Sequence, residues 1–296
     1  MGTLCNMALD DEGIDVRALI EETLSDFEII ATEATGAILY SRDRTHPDLR
    51  RNLYAAVIAT HAGLASLDYA KRTYTPETDV VAPIDANDQF LKATGYAREY
   101  MEAARRRLSK KGEPTVGAHA SRVALQRLES GFRAADLLYR LGLNYEGDAV
   151  ARQILEQIAW SLVAGGKEDI TALSKVLARK SVGDLGKLLP PIGLLYGQLS
   201  KTTHAGLDQH RGAYVARVDA NDLVVLTWSR RRESAKLLMQ LADAWVVVWE
   251  HTQRTFLTKR VSYSSPSDLI PSDQRKFLKK AAFLVEAIDE SAEDLG

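Results

Sequence analysis

Apolar residues recur three and four positions apart along most of this chain, and its eight prolines fall mainly in the connections between those stretches. That period turns one side of a helix apolar, so the chain must bury a set of helical stripes against one another. The spacing predicts seven or eight helices in an all-α, multi-helix bundle.

The first helix is expected from about Ile14 to Tyr40, on a stripe of Ile20, Leu24, Phe27, Ala31, Ala34 and Ile38. A second follows Pro47 to about Arg72 and buries Leu49, Leu53, Val57, Leu64 and Leu67. After the aperiodic TYTPETDVVAPIDAND, a third carries Phe90, Tyr96, Tyr100, Ala104 and Leu108. A fourth spans roughly Ala118 to Leu141, with Gly142 suited to its C-terminal end. A fifth, DAVARQILEQIAWSLVAGG, stops at Gly165 and Gly166. Pro190 and Pro191 break whatever precedes them and open another helix. YVARVDANDLVVLTW alternates around a DAND turn, which places one short β-hairpin near residues 213–228. A long helix from about Arg231 to Phe256 and a last one from Arg275 to about Ala292 complete the reading. SKKGEPTVG, residues 109–117, is the best internal boundary. It divides a helical region at 1–115 from a helical core at 116–260, with a tail helix in 261–296.

The 38 basic and 40 acidic side chains leave a net charge of -2, so no global positive field draws in nucleic acid. A single cysteine, Cys5, rules out an internal disulfide framework or thiolate zinc site. No apolar run reaches the length of a membrane span, and MGTLCNMALDDEG lacks the regions of a secretory signal. With Asn6 where a myristoylation signal has Ser or Thr, a cytoplasmic chain is expected. No glycine loop of the kind that cradles phosphates is present, so no nucleotide cofactor is expected, nor any other.

THAGL occurs at residues 60–64 and again at 203–207, and DAND at 85–88 and 219–222. Tyr54 precedes His61 by seven residues but Tyr196 precedes His204 by eight, a phase difference of about 100°. The echo therefore reads more readily as shared capping and turn chemistry than as duplication. In the second copy Tyr196, Ser200 and His204 stand at i, i+4 and i+8, on one side of a helix beside the stripe of Ile192, Leu195 and Leu199. Such a row offers hydrogen-bonding groups in series and an imidazole that can act as general acid or base. The plainer alternative is a set of boundary side chains that satisfy one another at the margin of a core. His61, with Tyr54 and Asp68 expected on its side of the second helix, invites that plainer reading. A metal held by His204, His210 and Asp208 has no recognisable ligand pattern behind it.

ARQILEQIAW (residues 151–160) followed by LLYGQLSKTTHAG (194–206) resembles a pattern in the HEPN-like superfamily of bacterial helical proteins, over about residues 137–256. The resemblance implies that Arg152 and Glu156 on one helix face Tyr196, Ser200 and His204 on a later one. It implies one of two roles: a non-catalytic module binding a protein partner or itself, or an RNase of toxin or phage-defence systems. In the second, His204 is general acid or base and Arg152 binds phosphate. The nuclease signature, an Arg and a following His with four to six residues between them, is missing from all six histidines. Arg152 and Glu156 lie away from the Ile154, Ile158, Leu162 stripe, with Trp160 nearly opposite it, so this helix is expected to touch structure on several sides. They also form an ordinary i, i+4 pair. The dense cationic runs, Arg105 to Arg107 with Lys110 and Lys111, and Arg230 to Arg232, offer grips for RNA phosphates or simply suit solvated helix ends.

Overall fold

The computed structural model describes residues 27–33, 36–41, 49–61, 64–74, 84–108, 112–203, 214–218, 222–226, 230–264 and 268–288. Among the described residues, ten helices form the packed body. They are α1 (Leu49–His61), α2 (Leu67–Tyr74), α3 (Ile84–Arg105), α4 (Val116–Arg140), α5 (Asn144–Gly165), α6 (Ile170–Ser174), α7 (Ala178–Leu188), α8 (Pro191–Thr203), α9 (Arg231–Thr252) and α10 (Lys276–Glu286). The bundle expected from the period is the bundle observed, and none of the described helices is long and apolar enough to cross a membrane.

Local chemistry sets the helix ends. Thr115 caps α4 by accepting from Ala118 N at 3.2 Å, and Asp169 caps α6 by accepting from Ala172 N at 2.8 Å. At the far end of α4, Gly142 takes a φ of 80°, while Leu143 N donates to Leu138 O and Gly142 N to Tyr139 O. That is a Schellman end, and it turns the chain directly into α5. Pro191 opens α8 from the position where its missing N–H costs nothing.

The core is organised around α9. Every residue from 241 to 250 is buried, and α3, α4, α5 and α10 all pack on this helix. A helix covered on all sides must satisfy its polar groups internally. Trp245 and Trp249 stack at 5.0 Å, and Trp245 Nε1 donates to Leu125 O at 2.8 Å. Asp243 pairs with Arg275 at 2.9 Å. The Glu250 carboxylate accepts from Val261 N at 2.7 Å, from Ser262 N at 2.8 Å and from the Ser262 hydroxyl. Together with the Tyr100–Phe277 ring stack, these contacts hold residues 261–262 and α10 against α3 and α9. The boundary expected at 109–117 does not sever the packing, since α3 before it and α9 beyond it lie in one hydrophobic cluster.

Two expectations for the N-terminal region are corrected. Where a first helix was expected, residues 27–33 and 36–41 are strands β1 (Phe27–Glu33) and β2 (Gly36–Ser41); residues 14–26 lie outside those described. They pair antiparallel with each other, and β1 also pairs with β4. The hairpin expected near 213–228 is present as β3 (Tyr214–Val218) and β4 (Asp222–Leu226), giving the order β2-β1-β4-β3. The Ile-Ile-Ala-Thr of residues 29–32 fits a helical stripe as well as a strand face, and here β1 is paired on both edges, by β2 and by β4. The second correction is a break in the expected second helix. Leu64 N donates to Ala59 O at 2.9 Å to close α1, and Ser66 Oγ accepts from Tyr69 N at 3.2 Å to open α2. Ala55, Ile58 and Ala70 make a small core between the two.

Candidate functional site

The residues singled out in the sequence meet where α5 packs on α8. Helix α5 is central to its side of the bundle, touching α4, α7, α8 and α9, so it has little free circumference. Its Ile154, Leu155, Ile158 and Ala159 are buried, and Trp160 Nε1 donates to Val176 O at 3.2 Å on another side. Arg152 and Glu156 occupy the arc facing α8. There Ile192, Leu195 and Leu199 fill the core, leaving Tyr196 at the margin one position round the helix.

The resulting cluster is compact. Arg152 Nε donates to Glu156 Oε1 at 3.2 Å, Nη1 to Thr203 Oγ1 at 2.8 Å, and Nη2 to Tyr196 OH at 3.4 Å. Tyr196 OH donates to the same Glu156 Oε1 at 3.0 Å, and the guanidinium carbon lies 5.4 Å from the Tyr196 ring centroid. Thr203 Oγ1 in turn donates to Leu199 O at 2.8 Å. The Arg152 and Glu156 side chains are 21% and 25% exposed, so the cluster is shielded but reached by solvent. Burial pulls the Arg152 guanidinium down, while Tyr196 and Glu156 outweigh it and hold its pKa above the ordinary value. Arg152 is therefore a fixed cation, and its one neutralising carboxylate is built in beside it.

Three of the five residues expected at this site, Arg152, Glu156 and Tyr196, are brought together. Ser200 is not joined to them: its Oγ is buried and has no hydrogen-bond partner among the described residues. His204, like Asp208 and His210, lies outside the described residues. The member that sequence reasoning missed is Thr203. Its signal was the seven-residue spacing from Tyr196, two turns along the same face. Chemically, the arrangement cross-braces two helices through one guanidinium and one carboxylate. A phosphate arriving at Arg152 would compete with Tyr196, Thr203 and Glu156 together.

The other described candidates lie elsewhere, and Lys110 and Lys111 fall outside the described residues. Tyr54 and His61 belong to α1, their side chains outside the description, whereas Asp68 lies on α2 and so does not share their helix as expected. Arg105 pairs with Glu102 and with Glu129, Arg106 with Glu102, and Arg107 lies 3.8 Å from buried Glu250. Arg232 donates twice to Ile288 O, and Arg231 is 1% exposed. Among the described residues no group of three or more His, Cys, Asp or Glu is placed to hold a metal ion.

No family model, no curated protein and no solved structure matches this chain.

Proposed function

We propose that this chain is a helical interaction module, binding a protein partner or a second copy of itself, and that it carries no catalysis of its own. The observation behind this reading is the engagement of Arg152: each of its three nitrogens already donates to a side chain of the same molecule. A phosphate-binding arginine works by offering unspent, convergent donors to its substrate. Arg152 instead commits three of its five N–H donors within the molecule, two of them to Tyr196 and Thr203 on α8. The pairing of Arg105 and Arg106 with acids and of Arg232 with a backbone carbonyl supports the same reading, since these described members of the cationic runs already hold partners within the chain.

The alternative, an RNase-like effector of a bacterial toxin or phage-defence system, is favoured by one specific observation. Thr203, the residue preceding His204 in the sequence, is bonded to Arg152, with Glu156 and Tyr196 alongside at a partly exposed position. In that reading His204 is general acid or base, Arg152 stabilises phosphate charge, and Tyr196 and Ser200 orient them.

One experiment separates the two. The wild-type chain and His204→Ala are expressed in a bacterial host, with the fold of each checked by circular dichroism. The module reading predicts no toxicity, or toxicity that His204→Ala leaves unchanged. Toxicity abolished by His204→Ala in a folded protein would overturn it in favour of the RNase.

A further inference from the structure

Helices α3 and α4 both pack on α9 but scarcely on each other, which leaves a cleft between them with α9 as its base. Two adjoining recesses of ≈ 590 Å³ and ≈ 170 Å³ occupy it, and both are lined by Arg98, Met101, Phe132 and Arg133. The floor is apolar and aromatic: Trp245 and Leu125 lie under the larger recess and Leu238 under the smaller. The rim is charged. Arg98, Arg105, Arg106 and Arg133 supply four guanidiniums, against three carboxylates from Glu99, Glu102 and Glu129, while Arg140 and Asp136 are buried and pair with each other at 3.1 Å. In a chain of net charge -2 this cleft carries an excess positive charge.

We propose that the α3–α4 cleft is a binding site for a small amphipathic anion, an apolar chain or ring system ending in a carboxylate or a comparable monoanion. Size and lining suit such a ligand: recesses of a few hundred cubic ångströms, with an apolar base and a few polar groups at the edge, are the usual form of small-molecule sites between helices. Charge selects the sign of the head group. Arg98 and Arg133 line both recesses, as do Met101 and Phe132, so a head group held by these arginines has apolar surface for its body within the same recess. The rim already accommodates a carboxylate there, for Glu129 pairs with Arg133 at 3.1 Å and with Arg105 across the cleft at 3.6 Å. Glu129 is 54% exposed, so an incoming anion displaces it into water at little cost. This proposal does not rest on the interaction-module reading.

Decanoate below its micellar concentration is the probe, titrated into the full chain by calorimetry, with decan-1-ol and acetate as the chain without the charge and the charge without the chain. Saturable binding of one decanoate per chain is expected, about tenfold or more tighter than decan-1-ol, with no heat from acetate. The double variant Arg98→Ala/Arg133→Ala weakens decanoate binding by about tenfold or more, Met101→Trp fills the floor and abolishes it, and Glu129→Gln, which removes the competing carboxylate, tightens it. Absence of saturable decanoate binding to the wild type would overturn the proposal. So would equal affinity for decan-1-ol, or an affinity unchanged in both Glu129→Gln and the arginine double variant. Because Glu129→Gln alters only an exposed side chain, the test survives if Met101→Trp fails to fold.

Discussion

Asp243 is 5% exposed on the most deeply buried helix of the molecule, paired with Arg275 and close enough to Glu250 to feel its charge. Burial raises its pKa first, Glu250 raises it further, and Arg275 only partly offsets them, leaving it pushed up to about 6. The native state therefore holds this proton more tightly than the unfolded chain, whose aspartates titrate near 4. Between those values the folded form binds more protons, so the stability contributed by Asp243 falls as pH rises from about 4 to about 6 and is level above that. Urea unfolding of wild type and Asp243→Asn across pH 4 to 8 should show the difference between them changing in that window, by at most about 1.4 kcal/mol per pH unit, and constant beyond it. A difference that stays flat from pH 4 to 6 would refute this assignment. Neither this pair nor the Glu250 clamp on residues 261–262 was legible in the sequence. An Asp or Glu among apolar helix residues looks the same whether its partner is water or an arginine on a later element.

At the scale of elements, the helical period carried most of the information, and it failed where pairing is non-local. α4, α5, α8 and α9 lie close to their expected spans because each stripe, cap and proline acts within a few residues. The β1–β2 hairpin was hidden because its Ile, Ala and Leu residues fit a helical stripe as well as a strand face, and the pairing of β1 with β4, through Ala31↔Leu226 and Thr32↔Val225, is a contact that no local window contains. The stretch from Pro191 is a continuous α8, and the segment before it, which contains Gly183 and Gly186, is helical as α7. Its glycines differ in kind from Gly117. A Cβ at Gly117 would lie 2.2 Å from Ala164 O and 2.3 Å from Lys167 O, both backbone atoms that cannot turn aside, whereas one at Gly183 meets nothing within 4 Å. Gly117→Ala should therefore cost about 3 kcal/mol by forcing α4 away from the end of α5. Gly183→Ala should gain about 0.5–1 kcal/mol from helix propensity alone. Denaturant midpoints for the two variants shifting in the same direction would contradict this packing.

Over the whole molecule, α9 acts as the axle and α5 as a second hub, and the Arg152 cluster fastens the outer helix α8 to that hub. Spacing alone put Arg152 with Glu156, and the resemblance put both opposite Tyr196. Thr203 went unseen because a threonine at a helix end carries no mark of its partner, and Ser200 was included because helical phase cannot separate a margin that faces the cluster from one that does not. If the cluster is a brace, its members must couple energetically. A double-mutant cycle of Arg152→Ala and Tyr196→Phe, followed by urea unfolding, measures that coupling directly. We expect Arg152→Ala alone to cost about 1–2 kcal/mol, and the two changes together to cost less than their sum by about 0.5–1.5 kcal/mol. Strictly additive effects, or an Arg152→Ala protein as stable as the wild type, would contradict the account.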